Sequence, residues 1–304
     1  MSKIKIPIPN TFNFKLCLDS LRQSPLEVMH IVKKDKVIKL IYFAGKPVVI
    51  KVKQKGNFLI AENLNGGKLN VAWKHAINNF VKDWFDLDRD LRPFYKLAAN
   101  DVILNEVVKT HDGLRLMGIP DFFEAISWAI LGQQINLTFA YKLKRRLVEK
   151  YGKSYTHKNK TYYAFPDPET IAKLAPSDLR PYQFSQRKSE YLIGVAKLFT
   201  NGELDKDAML KLSPEEAKAK LIKIRGIGNW TANYVIMKCL RYADGFPLED
   251  VGLHNALKLK MNLSSKPDLA TINKIGAKWQ PWRGYATFYS VSYTHLTLPT
   301  ILLV

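Results

Sequence analysis

The sequence predicts an α+β protein: a small antiparallel-sheet α+β domain over residues 1–100, then an all-α region over residues 101–290. Three observations carry this. β-Branched runs broken by glycine turns are confined to the first part, and helically spaced apolar residues dominate the second. The length, 304 residues, suits two domains at roughly 100–200 residues each.

The elements follow in order. Residues 37–43 (VIKLIYF) and 48–53 (VVIKVK) flank Ala44-Gly45-Lys46-Pro47 and read as a hairpin. Residues 57–61 and 68–71 flank Asn65-Gly66-Gly67, a second turn signal between two expected strands. Trp73, Ile77, Phe80, Val81 and Trp84 then fall at helical spacing over residues 73–85. Asp121 and Glu124 bracket the first turn of a helix expected to run to about Leu131. Gly132-Gln133-Gln134 interrupts, and a second helix is expected through Leu147 to Tyr151. Residues 152–162 (GKSYTHKNKTY) read as a polar, basic loop. Asp167-Pro168 and Ser213-Pro214 open further helices with a cap residue and a first-turn proline.

Composition bounds the function. Lys and Arg number 47 against 27 Asp and Glu, a formal charge of +20, which favours a polyanionic partner such as nucleic acid. Two cysteines, Cys17 and Cys239, exclude a disulfide scaffold and a four-cysteine metal site. The six histidines show no metal-ligand spacing, so no metal is expected. No apolar run nears the ~20 residues of a membrane span, and the first ten residues lack the core of a signal peptide. The expectation is a soluble cytoplasmic protein, monomeric and without a membrane partner.

Residues 221–240 (LIKIRGIGNWTANYVIMKCL) carry the most chemistry. One helix is expected to end at Ile224, Gly226-Ile227-Gly228 to reverse the chain, and another helix to start near Trp230. Free amides at such a helix start make a phosphate site aided by the helix dipole, able to grip a DNA backbone without reading bases. An ordinary packing corner between two helices shares the local pattern.

The hairpin does not stand alone. With Phe122 to Gly152 and its Ala129-Ile-Leu-Gly-Gln-Gln134 core, Phe165-Pro-Asp-Pro168, Phe246-Pro-Leu-Glu-Asp250 and Lys278-Trp-Gln-Pro-Trp-Arg-Gly-Tyr-Ala286, it resembles the helix-hairpin-helix DNA glycosylases. The similarity is to the bacterial DNA-3-methyladenine glycosylase II branch, and it is looser over the first domain. The resemblance implies excision of a flipped, damaged base from double-stranded DNA. It implies no cofactor beyond a monovalent cation at the hairpin carbonyls. It puts Asp250 at the catalytic position, with Glu249 as the fallback acid. Departure of the base leaves positive charge on the sugar. A carboxylate about 4 Å away is worth on the order of 4 kcal/mol at an effective dielectric of 20, roughly three decades in rate. Asp250 also suits a helix N-cap before residues 251–259, and the two roles are compatible.

The resemblance implies further roles. Lyase-competent relatives carry a nucleophilic lysine where this chain has Trp230, so hydrolysis without strand cleavage is expected. Trp230 and Tyr234, one helical turn apart, would line the base pocket and sandwich a cationic purine. Gln134, with Gln133 beside it, matches the wedge that fills the gap left by the flipped nucleotide. Arg225, Gly226, Gly228 and Thr231 would meet the DNA backbone, and His254 would lie on a capping or DNA-facing side. Glycosylases for hypoxanthine, oxidised or mismatched bases, and a non-catalytic DNA-binding protein, share these features.

The last segment is set apart. Residues 291–300 (VSYTHLTLPT) match the translation of a transposase sequencing adapter at all ten positions. Residues 291–304 are therefore expected to be read-through rather than native sequence, with a family pocket aromatic displaced just after Ser290.

Overall fold

The structure is a computed structural model and describes residues 2–297, with side chains through Thr294. The chain opens with β1 (Lys3–Pro7), α1 (Phe14–Leu21), β2 (Ile31–Lys33), β3 (Lys36–Phe43), β4 (Lys46–Lys55) and β5 (Phe58–Asn63). The strands form one antiparallel sheet in the order β1-β5-β4-β3-β2. Ala44 and Gly45, both at positive φ, close the β3–β4 hairpin with Phe43 opposite Lys46.

The second expected hairpin differs. The strand after β4 is β5, reached through Gly56-Asn57, and residues 68–71 form no strand. Gly66 and Gly67 (φ 86° and 76°) turn the chain out of the sheet, and the Asn70 side chain then accepts from the Trp73 amide. That cap starts α2 (Val71–Phe85), so a helix N-terminus takes residues whose composition alone reads as a strand.

α3 (Arg92–Ala99) and α4 (Leu104–Thr110) follow, then a strap of residues 111–120, then α5 (Phe122–Gly132) and α6 (Leu137–Tyr151). Asp121 caps α5 by accepting from the Glu124 amide at 2.7 Å, as its spacing implies. Residues 153–164 correct the expected loop: β6 (Lys153–His157) and β7 (Lys160–Ala164) form a second hairpin across Lys158-Asn159, both at positive φ. The helical region is thus interrupted by a strand pair. Its stability is tertiary: Tyr162 packs on Leu40 and Val49, covering the outer face of the first sheet.

The remainder is helical: α7 (Pro168–Ala172), α8 (Pro176–Leu179) with a 3₁₀ turn at Arg180–Tyr182, α9 (Gln186–Thr200), α10 (Lys206–Met209), α11 (Pro214–Ile222), α12 (Asn229–Lys238), α13 (Val251–Lys260), α14 (Leu269–Ala277) and α15 (Arg283–Thr297). Ser213 and Glu216 form a reciprocal capping box at α11. No described helix is long and apolar enough to cross a membrane.

Two main cores organise these elements. One is built from residues of α5 to α12. The other joins the inner face of the sheet and α1 to α4 with α13, α14 and α15. The chain therefore leaves the first core after the strap and returns to it after α12. Phe94 sits where the two ends meet, fully buried, its ring 5.5 Å from Tyr285 and 5.0 Å from Tyr289. The strap binds the cores together: Arg241 donates to the Leu116 carbonyl, and Lys238 to that of Met117.

α15 does not stop at Ser290. It continues to Thr297, with Ser292 and Thr294 buried and Tyr293 donating to Glu106. Residues 298–304 of the adapter-like segment lie outside the described residues.

Because Phe94 bridges residues early and late in the chain, Phe94→Ala is expected to destabilise the whole protein by about 3–5 kcal/mol. Urea unfolding checks this, with a single shifted transition expected.

Candidate DNA-facing active site

The hairpin is made as its glycines require. Gly226 has φ 93°, and a Cβ there would lie 2.3 Å from Cγ of Tyr191, so both backbone and space exclude a side chain. Gly228 is different. Its backbone is extended, it is the N-cap of α12, and nothing lies within 4 Å of where a Cβ would stand. No side chain caps the first amides of α12, which open to the exterior beside Gly228.

The expected backbone-contacting residues divide. Gly226 and Gly228 hold the turn as predicted. Arg225 is exposed but ion-paired with Glu190 at 2.9 Å, its guanidinium over the Tyr191 ring. Thr231 is a correction: it is 2 % exposed, and its hydroxyl accepts from the Gln133 amide. It supports the hairpin from within.

The two glutamines also part company. Gln133 Nε2 donates to the Gly226 carbonyl at 2.8 Å and to Thr231 Oγ1 at 3.0 Å. It ties the end of α5 to the hairpin, so this side chain is not the projecting wedge expected of it. Gln134 is exposed on a left-handed backbone (φ 54°) and does project. Lys188 fixes the turn beneath them, donating to the carbonyls of Ile130, Leu131 and Gln133 at 2.9, 3.0 and 2.7 Å. Burial pushes this ammonium down to about 8. Between this turn, the hairpin and α9 lies a groove of about 660 Å³.

Asp250 stands where the two cores face each other. It is the N-cap of α13: Oδ1 accepts from the Leu253 amide at 2.9 Å. Oδ2 accepts from Trp230 Nε1, also at 2.9 Å, across from α12. The carboxylate is half-buried, with each oxygen held by a donor. Glu249 beside it is exposed. His254 Nε2 bonds the Leu248 carbonyl at 2.9 Å and so pins the preceding loop from inside, in place of the capping or DNA-facing role expected of it. A Cβ on Gly252 would meet Asp250 Oδ1 at 3.0 Å and Val291 at 3.2 Å, so the glycine lets α15 pass close to the carboxylate.

Trp230 and Tyr234 are neighbours on α12, as their spacing implies, but they stack on each other with centroids 5.3 Å apart and planes at 27°. No base fits between them in this arrangement, so the expected sandwich is replaced by one continuous wall. That wall is longer than the sequence suggests. Trp128 of α5 lies near Tyr234, and its ring lies 4.8 Å from that of Tyr141 on α6. Tyr141 donates to Gln23, between α1 and β2. Trp128 is half-buried on a helix whose neighbouring residues are buried, a signal that it faces a cleft. Among the described residues, no three His, Cys, Asp or Glu side chains converge as a metal site.

Comparison with known proteins agrees with this architecture. Residues 127–281 match the HhH-GPD superfamily of base excision DNA repair proteins, and residues 5–126 match the N-terminal domain of 8-oxoguanine DNA glycosylase. The chain is 41 % identical to the DNA-3-methyladenine glycosylase of Bacillus subtilis over 94 % of its own length and 95 % of the relative's. It is 30 % identical to DNA-3-methyladenine glycosylase 2 of Escherichia coli, covering 64 % and 67 %. The 3-methyladenine DNA-glycosylase structure from Archaeoglobus fulgidus has the same fold, with a TM-score of 0.85 over both whole chains at 22 % identity. A DNA-bound 8-oxoguanine glycosylase/lyase from Clostridium acetobutylicum shares it at a TM-score of 0.75, covering 94 % and 92 %. With its hairpin, its loop ending in Asp250 and its sheet-bearing first domain, the chain belongs to the HhH-GPD superfamily of base excision DNA repair proteins.

Proposed function

We propose that this protein is a monofunctional DNA glycosylase that flips alkylated purines of the 3-methyladenine type out of duplex DNA and hydrolyses their glycosidic bond. The observation that carries the reading is the half-buried Asp250 carboxylate, held by Leu253 N–H and by Trp230 Nε1 from the other core.

Each part of the site has a task. The hairpin amides beside Gly228 and the Gln134 turn line one groove, the first suited to a phosphate grip and the second to a wedge. The extruded base lies against the outer face of the Trp230–Tyr234 wall. A cationic, electron-poor purine gains about 0.5–2 kcal/mol from each ring face it meets. As the base leaves, the oxocarbenium-like sugar is stabilised by Asp250, which also orients the attacking water. The two donors to Asp250 fix its oxygens in advance, so little reorganisation is needed at the transition state.

Position 230 supports hydrolysis without a lyase step. An indole stands where lyase-competent relatives place an amine, and the lysine on α12, Lys238, donates instead to the Met117 carbonyl. The chemistry needs no cofactor. A monovalent cation at the hairpin would have to share the Gly226 carbonyl with Gln133. The protein acts as a monomer on damaged duplex, in the cytoplasm or on the nucleoid.

Asp250→Asn should reduce single-turnover release of 7-methylguanine from methylated duplex at least a thousandfold, with duplex affinity within about threefold of wild type. Retained activity would refute the assignment. Trp230→Phe keeps the wall and deletes the donor to Asp250. A ten- to hundredfold lower rate at unchanged duplex affinity is expected in the same assay. Product duplex should be alkali-labile yet give no covalent adduct with borohydride. Trapping would place an amine in the reaction. Duplex affinity should fall at least tenfold between 50 and 200 mM salt, as phosphate-dominated binding requires.

A further inference from the structure

Part of the outer face of the first sheet is paved with lysine. Tyr162 of the β6–β7 hairpin packs with Ile38, Leu40 and Val49 on that face. Beyond them the register sets one row across the strands: Lys5 on β1, Ile60 on β5, Lys53 on β4, Lys36 on β3 and Lys33 on β2. The row before it carries Lys3 and Lys51, and the row after it carries Lys55 beside the exposed Phe58. A strand spacing of ~4.8 Å makes the Lys5–Lys33 row about 19 Å long, and a duplex presents about 11 phosphate charges over that length. Lys3, Lys5, Lys33 and Lys55 are exposed. Among the described residues, the one carboxylate in these rows is Glu62, buried beneath Lys51 at 2.5 Å and Lys53 at 3.3 Å. Burial opposes the Glu62 carboxylate, but the two ammonium groups hold it below the usual range.

The needs of the sheet itself do not account for this face. Like charges directly opposite one another cost stability, and here Lys53 faces Lys36 and Lys36 faces Lys33. Lysines that blunt a sheet edge belong on β1 and β2, whereas Lys51, Lys53 and Lys55 lie on β4, the central strand. Solubility is met by mixed signs, while a face of one sign attracts a polyanion. The inner face of the sheet packs into the core that anchors α13, so the lysine rows face away from that core. None of these lysines lines the groove beside Gly228.

We propose that these rows form a second DNA-binding surface, which takes the phosphate backbone of another duplex segment while the hairpin groove holds the first. Two grips on separate faces let the protein pass between segments without an unbound interval, because the second contact forms before the first breaks. Lysine suits the task, since a flexible point charge meets phosphates without reading sequence. The inference rests on the DNA-binding half of the glycosylase reading and adds a search device that the reaction itself does not need.

The test follows the full chain as it leaves a labelled duplex carrying a tetrahydrofuran site, while unlabelled undamaged duplex is added. Lys5→Gln/Lys33→Gln/Lys36→Gln/Lys55→Gln strips the rows and leaves both partners of Glu62 in place. Lys109→Gln/Lys173→Gln/Lys197→Gln/Lys211→Gln removes the same charge from exposed lysines of the helical region and is the control. For the wild type and the control, the departure rate should rise about threefold or more over a tenfold increase in competitor. For the row variant it should stay flat, with single-turnover 7-methylguanine release within about twofold of wild type, because the groove grip is untouched. A wild-type rate that ignores competitor, a row variant that still responds, or a control that goes equally flat would overturn the proposal. Acceleration by poly-glutamate but not by duplex would overturn it too, by giving the face to an acidic protein. A row variant that fails to fold would mark the lysines as structural and overturn it as well. A chain that transfers in this way yet releases no 7-methylguanine would refute the glycosylase reading and support the second surface.

Discussion

The bond from Trp230 Nε1 to Asp250 Oδ2 joins the two halves of the molecule at the place where chemistry would occur. Trp230 belongs to α12, anchored in the core of α5 to α12, while Asp250 opens α13, anchored in the core shared with the sheet. A carboxylate at a helix N-terminus is already favoured by the helix dipole. The indole donor adds a direction, because it fixes the second oxygen relative to the wall a base would rest on. Anything that moves the cores apart therefore moves the Asp250 carboxylate away from Trp230, so in the proposed reaction the packing between the cores sets where the charge stands.

That packing explains the chain's route. A small sheet domain with few buried layers gains a full core when the last three helices return to it, and Phe94, Tyr285 and Tyr289 are the seam. Polar ties at the same boundary keep it in register. Asp86 receives Tyr285 Oη and pairs with Arg89 and Arg241, while Arg115, fully buried, donates to the carbonyls of Asp86, Arg89 and Thr11. Breaking one member would leave a buried charge uncompensated, so this network resists sliding between the cores.

Local signals were readable in the sequence and distant ones were not. The caps at Asp121, Ser213 and Asp250, the glycine turn and the Trp230–Tyr234 spacing all depend on residues within four positions of each other. The role of Gln133 is not local, because its partner, the Gly226 carbonyl, is 93 residues away. Trp128, Tyr141, Gln23 and Lys188 carry no local signal for the same reason, since the wall and its supports exist only once α5, α6 and α9 are packed. The β6–β7 hairpin looked like a basic loop because its strands are polar on the exposed side and owe their order to Tyr162 meeting the sheet. Residues 68–71 show the reverse error, where an asparagine cap outweighed a β-like composition. The mutual stacking of Trp230 and Tyr234 could not be read from spacing, which places two rings on one face but does not say whether they part for a guest.

The central claim is that a fixed negative charge at Asp250 stabilises a sugar turning positive. Its most direct measurement is the affinity of the wild-type protein, and of the Asp250→Asn protein, for duplexes carrying either a cationic azasugar or a neutral tetrahydrofuran in place of the damaged nucleotide. The wild type should prefer the cationic site by about a hundredfold or more, and the preference should vanish in the variant. Equal affinity for the two sites in the wild type, or an undiminished preference without the carboxylate, would contradict it.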